Sequence, residues 1–342
     1  MKQVGRGEYL FRHLRQLMPY VTVTKLLNLA LNVLELRLNI SCPRSLPPYI
    51  KVEPTPLCQL ACPGCAHGTS DLKKQLTNRM HFSLDDLKDV IDSLGSCLFG
   101  VSLSLRGEPL LGKDLLPMLE YIHARRIAVS FPTNLSLHLR AEQIERLVRS
   151  GVDTVYVSLD GASESTYCQY RVGGDFNLVL RNVKAISEAK KRIGTKCPRL
   201  VWKFVVFRHN EHELPAVTRT HRDLGFDDYE LVSDHDSQAT RHALSKHNEH
   251  LVENKKPCYW AWHTTVIRAD GEVLPCCKQQ GAFGLGNVKQ GDIRSIWRGS
   301  AYVRLRRGFK TMRAAEMNAV CARCVGAVDS DSSTAAVAHV GR

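Results

Sequence analysis

The chain has 342 residues, 44% of them apolar and 24% charged; this is enough apolar content for one large domain and a small one, and it excludes an intrinsically disordered chain. The formal net charge is +13, densest at Arg304-Leu305-Arg306-Arg307 and Lys190-Lys191-Arg192, with no nucleic-acid motif and no aromatic interleaving; it reads as a solvated basic face, with no nucleic-acid partner. Twelve cysteines, clustered in a chain that shows no secretory signal peptide, favour metal ligation in a reducing cytoplasm over a disulfide scaffold.

Residues 1–47 precede the main pattern. Leu26, Leu27, Ala30, Val33 and Leu34 recur at helical spacing, with Asn28, Asn32 and Glu35 on the other side. That is an amphipathic helix of about four turns, too short and too interrupted to span a bilayer. It has two placements open to it: against the main domain, or on a membrane surface with help from Arg6, Arg12, Arg15, Lys25 and Arg37. Pro43 and the Pro47-Pro48 pair end the helical pattern.

A short strand over 50–53 leads into Cys58-Gln59-Leu60-Ala61-Cys62-Pro63-Gly64-Cys65. This C-x3-C-x2-C spacing can bring three thiolates to three corners of an iron–sulfur cube and leave one iron open; a zinc knuckle with His67 as fourth ligand is the other reading. Residues 69–80 read as a polar surface connection. Strands and helices then alternate: helix 83–94 with Ser83 as N-cap, strand 98–105, helix 115–125, strand 127–131, helix 141–150 ended by Gly151, strand 154–159, helix 176–191, strand 200–207, helix 211–224 and strand 229–233. Six strands in this alternation argue for a parallel sheet. Polar motifs fall where strands end: Gly107-Glu108-Pro109, Thr133-Asn134 and Asp160-Gly161. In barrel-type α/β folds those ends carry the chemistry. Asp234, His235 and Asp236 follow the last strand and are candidates for a general base, or simply the start of a solvated linker over 234–256.

The last quarter holds Cys258, Cys276, Cys277, Cys321 and Cys324. Asp270-Gly271 is a hairpin turn signal between apolar runs over 264–269 and 272–274. With the C-x2-C clip at 321–324, four sulfurs are on offer, for a fully ligated second cluster or for structural zinc. Cys42, Cys97, Cys168 and Cys197 stand alone and read as packing residues. From about residue 327 the chain reads as a disordered tail.

The cysteine loop, Arg106-Gly107-Glu108-Pro109, Pro132-Thr133-Asn134, Ser158-Leu159-Asp160-Gly161 and Tyr170-Arg171-Val172-Gly173-Gly174 follow one another in an order that resembles the radical SAM superfamily, across residues 48 to 326. The resemblance implies an α/β fold, a partial (β/α)6 TIM-like barrel. It implies that Cys58, Cys62 and Cys65 ligate a [4Fe-4S] cluster whose open iron takes S-adenosylmethionine. Gly107, Glu108 and Pro109 would meet the methionine amine, and Ser158 and Arg171 the carboxylate or ribose, with Thr133, Asn134 and Asp160 close by. Gly64 departs from the family, which usually has an aromatic residue there, so packing on the adenine falls to another part of the chain. The C-terminal stretch, with Gly286-Asn287 and Ile296-Trp297, resembles the Twitch form of the SPASM extension. It implies one auxiliary [4Fe-4S] cluster on Cys258, Cys276, Cys321 and Cys324, with Cys277 as the alternative to Cys276.

The organisation expected is a helical extension over 1–47, the barrel over 48–235, the Twitch/SPASM-like domain over 236–326 and a tail over 327–342. The implied chemistry takes an electron from a donor such as flavodoxin or ferredoxin, cleaves S-adenosylmethionine to a 5′-deoxyadenosyl radical and abstracts hydrogen from a substrate carbon. The expected outcome is net oxidation of a small molecule or sugar in the cytoplasm. The alternatives are a peptide or protein maturase, and modification of a lipid or lipid-linked substrate reached through peripheral membrane contact by the N-terminal helix.

Overall fold

Alternation of apolar side chains sets which way each strand faces. In β1 (Tyr49–Val52) of the computed structural model, Ile50 and Val52 are buried while Tyr49 and Lys51 are partly open. The structure describes residues 17–63, 65, 80–233, 258–277 and 284–325. Gly64, His67, the connection over 69–79, the linker over 234–256 with Asp234, His235 and Asp236, and the tail over 327–342 lie outside the described residues.

After α1 (Val23–Arg37) and β1 come α2 (Leu84–Leu94), β2 (Gly100–Leu103), α3 (Leu115–Ala124), β3 (Ala128–Thr133), α4 (Ala141–Arg149), β4 (Thr154–Ser158), α5 (Glu164–Tyr170), α6 (Phe176–Ile193), β5 (Arg199–Val206), α7 (Leu214–Thr220) and β6 (Asp228–Ser233). Strands β1 to β6 pair in parallel in chain order, the partial TIM-like barrel. One face of each strand, with Val52, Leu103, Phe131, Val157 and Trp202, packs into the core beneath the helices.

Beyond β6 follow α8 (Trp260–His263), β7 (Thr264–Ile267), β8 (Val273–Leu274), α9 (Ile293–Arg298), α10 (Ser300–Thr311) and α11 (Ala319–Val325). Strand β7 pairs in parallel with the free edge of β1, from Tyr49↔Thr264 to Val52↔Ile267, and β8 returns antiparallel. The sheet therefore has eight strands in the order β6-β5-β4-β3-β2-β1-β7-β8. Gly271, at φ +88°, makes the β7–β8 turn, and Asn287 closes it by donating to the Asp270 carbonyl at 3.1 Å.

Helix starts and stops follow local chemistry. Ser83 caps α2 by accepting from the Asp86 amide at 3.1 Å, and Gly194, in the left-handed region at φ +76°, ends α6. The stretch expected as one helix over 211–224 is a 3-10 turn followed by the shorter α7, which begins beside Pro215. Helix α10 was hidden in a run read as a solvated basic face. Arg306 from that run is fully buried, 4.2 Å over the Trp297 ring and 4.5 Å over Tyr302, and it donates to the carbonyls of Ala261 and Trp297. Cys42 and Cys168, expected to pack inside, are exposed.

Candidate functional site

Two segments, one after β2 and one after α5, press on the first cysteine loop. A Cβ at Gly107 would lie 2.1 Å from the Thr55 carbonyl oxygen and 2.7 Å from that of Leu57, so only glycine allows this approach. The Glu108 amide donates to the Leu57 carbonyl at 2.7 Å, one residue before Cys58. From the other side, the Ala61 amide donates to the Val172 carbonyl at 2.9 Å. The Arg171 guanidinium lies 3.8 Å from the Cys62 sulfur, and the Asn134 amide 3.8 Å from that of Cys58.

Charge is managed around these contacts. Asp160 is fully buried and holds Arg171 through its Oδ2, which accepts from Nε at 2.6 Å and lies 2.6 Å from Nη2; its Oδ1 accepts from the Val205 amide at 2.8 Å. Burial works against the Arg171 cation, but the charges of Asp160 and Cys62 outweigh it and hold the group protonated. Burial pushes the Cys58 thiol up to about 11, and the charges of Glu108, Cys62 and Cys65 add to the rise. Burial also raises Cys62, against the pull of Arg171. Glu108 is buried, and its carboxylate accepts from the Thr133 hydroxyl at 2.6 Å, the Asn134 amide at 2.7 Å and the Leu110 amide at 3.1 Å. Burial raises its pKa against those three bonds. Pro109 opens the 3-10 turn that follows, and Ser158 ends β4 opposite Lys203 of β5.

At the β7 edge, burial lifts the Cys258 thiol to about 11, and the charges of Cys276 and Cys324 lift it further. Cys321 is buried in the core and Cys324 is exposed. Cys277 is exposed and contributes most among nearby charges to Lys51, whose pKa burial lowers.

Sequence reasoning missed Gln59, Glu53, Lys51 and Lys203. Gln59 donates to Asn134 Oδ1 and to the Ser136 carbonyl, each at 2.9 Å, and so ties the loop to the end of β3. Glu53 is buried beneath Arg106. Lys51 and Lys203 sit on the open, inner face of the sheet, in register with Ser102 and Ser158 respectively. A lysine inside an otherwise apolar strand is the signal that could have found both.

Among the described residues no three His, Cys, Asp or Glu side chains converge on a single ion-sized point. The fit to an iron–sulfur group rests on the donor set: each cysteine group supplies soft sulfurs within reach of one another's charge, and Arg171 and Asn134 point N–H groups at the sulfurs of the first.

Comparison with known proteins agrees. The family model for the radical SAM superfamily matches residues 52–207, and the model for the SPASM iron–sulfur cluster-binding domain matches residues 258–325. The chain is 24% identical over 299 residues to the tungsten-containing aldehyde ferredoxin oxidoreductase cofactor-modifying protein of Pyrococcus furiosus, covering 74% of this chain and 82% of that one. It is 30% identical over 140 residues to the mycofactocin maturase MftC of Mycolicibacterium smegmatis, covering 40% of this chain and 33% of that one. Streptococcus suis SuiB bound to S-adenosylmethionine has the same fold, with a TM-score of 0.61 at 15% identity over 83% of this chain and 72% of that one. The chain belongs to the radical SAM superfamily and carries a C-terminal SPASM domain. Its cofactors are accordingly a [4Fe-4S] cluster, S-adenosylmethionine and auxiliary iron–sulfur ligation in the SPASM domain.

Proposed function

We propose that the enzyme removes hydrogen from a carbon of a small polar molecule, a sugar among them, and that the net reaction is an oxidation. The observation that carries this reading is the inner face of the sheet. Lys51, Ser102, Ser130, Tyr156, Ser158 and Lys203 stand on it, and neither lysine has a carboxylate partner among the described residues. Such a lining suits hydroxyl and oxyanion groups better than apolar ones. Lys51 lies within electrostatic reach of Cys277, Lys203 and Cys276, which supports an interior bordered by the C-terminal cysteine group.

When bound, the catalytic cluster with S-adenosylmethionine supplies hydrogen-atom abstraction, and one auxiliary cluster supplies an acceptor for the second electron. In this reading Cys58, Cys62 and Cys65 hold the first group, and Cys258, Cys276, Cys321 and Cys324 the second. The influence of Cys276 on Cys258 favours Cys276 over Cys277. Gly107 brings its strand end against the cysteine loop, and Arg171 offers a fixed cation to the methionine carboxylate. Asp234, His235 and Asp236 remain the candidates for the base that takes the substrate proton.

Two other substrate classes have specific support. The mycofactocin maturase and SuiB, the latter with its precursor peptide, favour a peptide. The exposed apolar face of α1 favours a lipid-linked molecule whose polar part enters the interior.

The test uses anaerobically reconstituted enzyme. Wild type should hold about eight irons, and the Cys58→Ala/Cys62→Ala/Cys65→Ala variant about four. With dithionite and S-adenosylmethionine, sugars and sugar phosphates should stimulate 5′-deoxyadenosine release from wild type, with product two hydrogens lighter. Stimulation by peptides alone, or a product of unchanged oxidation level, would overturn the reading.

A further inference from the structure

Helix α1 faces the protein with its polar side. Lys25 donates to the Arg126 carbonyl at 2.7 Å, and Asn28 exchanges two bonds of 2.9 Å with the Leu46 backbone. Asn32 donates to the Ser45 hydroxyl at 2.9 Å and the Trp262 carbonyl at 2.6 Å. Glu35 accepts from the amides of Arg44 and Ser45 at 2.6 and 3.0 Å. These bonds fix the rotation of the helix: turning the leucines inward would leave every one of these groups without its partner.

The outward side is apolar. Leu26, Leu27, Leu31 and Leu34 are 49, 66, 37 and 51% exposed. Nine of the eleven exposed large hydrophobic residues among those described lie between Met18 and Ile40. So concentrated a patch marks an interaction surface.

Charge identifies what it meets. The one acid of the helix, Glu35, is buried, so the exposed side carries no carboxylate. Exposed arginines flank both ends. Arg126 donates to the Pro19 carbonyl before the first turn; Arg37 lies in the last turn; Arg298 donates to the Arg44 carbonyl beyond it. A second copy docked antiparallel across this face would set arginine ends against arginine ends. A bilayer with anionic headgroups matches both the apolar stripe and its basic ends.

We propose that α1 docks the enzyme on an anionic lipid surface, lying in the plane of the interface with Leu27, Leu31 and Leu34 in the acyl region and the arginines among the headgroups. Among the described residues no helix is long and apolar enough to cross a membrane, so the contact is peripheral. The docking is independent of the reaction proposed above.

The test is flotation of the full chain, under anaerobic conditions, with phosphatidylcholine vesicles with and without phosphatidylglycerol. Wild type should float with the anionic vesicles, less so as salt rises, and poorly with phosphatidylcholine alone. Leu27→Glu/Leu34→Glu should lower partitioning by about a hundredfold, roughly tenfold per buried leucine lost, and should melt at the wild-type temperature because both side chains already face solvent. Absence of wild-type flotation, or equal flotation of the variant, would overturn the proposal. So would a dimer in gel filtration that the variant dissociates without any vesicle binding, which would make a second copy the occupant. A lower melting temperature for the variant would mean that the chain covers the face itself, and would also overturn it.

Discussion

The buried Asp160–Arg171 pair gives the sharpest quantitative prediction. Asp160 is fully buried, and the Arg171 side chain is 15% exposed. Asp160→Asn keeps the volume and keeps an acceptor for the Val205 amide. It removes the countercharge, however, and sets an amide N–H against the guanidinium or a weaker carbonyl in its place. Breaking a buried pair from one side costs about 3–5 kcal/mol, because the remaining charge is left uncompensated. Against a total stability of about 5–15 kcal/mol for a folded protein, that is a large fraction. Arg171→Met/Asp160→Asn removes the stranded cation as well. The double variant should therefore be more stable than Asp160→Asn alone, with a coupling of about 2 kcal/mol or more. Anaerobic urea unfolding of wild type, both single variants and the double variant measures this directly. Additive losses, or a loss below about 1 kcal/mol for Asp160→Asn, would show that water already screens Arg171 and would refute the reasoning.

Gly107→Ala should loosen the cysteine loop at its tightest point. The new Cβ meets backbone oxygens at 2.1 and 2.7 Å, so the loop must move; overpacking of this kind costs about 1–3 kcal/mol. Lower iron incorporation on reconstitution, together with a reduced urea midpoint, is the expected result. Lys25 gives a pH prediction. Burial, with help from Arg126, holds it down at about 8 from 10.5. Between those values the unfolded chain binds the proton that the folded chain has released, so stability rises with pH across that window; below it both states are protonated and the contribution is constant. The difference in urea midpoint between wild type and Lys25→Met should therefore move in favour of wild type as pH rises from about 7.5 to about 9.5. A difference that does not change with pH would place Lys25 in water.

The barrel was readable because two periodicities agree. Val52, Leu103 and Phe131 mark one face of their strands, and Ser83, Asp175 and Gly194 mark helix ends through local bonds that need no tertiary context. The cysteine loops were readable as spacing. What the sequence hid depends on contacts remote in the chain. The rotation of α1 is one case: an apolar stripe ordinarily turns inward, and only the bonds from Asn28, Asn32 and Glu35 to residues 44–46 and 262 turn it out. Arg306 is another, since its burial requires Trp297 and Tyr302 to enclose it. The attachment of β7 to β1 is a third. A parallel pairing across 215 residues of separation, as at Tyr49 and Thr264, leaves no local signature.

That pairing also ties the two cysteine-bearing parts of the chain to each other. One carboxylate, Glu53 at the end of β1, accepts from the Arg106 amide through Oε1 and from the Ala269 amide through Oε2, each at 3.2 Å. Arg106 precedes the glycine that presses on the first cysteine loop, and Ala269 precedes the Asp270-Gly271 turn of the hairpin that leads to Cys276. The two oxygens of the carboxylate thus join the segment that presses on the first cysteine loop to the hairpin that leads to Cys276, and Glu53 itself is buried. Burial in a low-dielectric setting makes each of these bonds matter more than its surface equivalent. One buried side chain thus bonds the hairpin to the segment that carries Gly107. The same strand carries Lys51 two residues earlier, on the inner face of the sheet opposite Ser102. Strand β1 and the residue after it, Tyr49 to Glu53, together carry the barrel edge, the attachment of the C-terminal domain and a cation in the candidate substrate space.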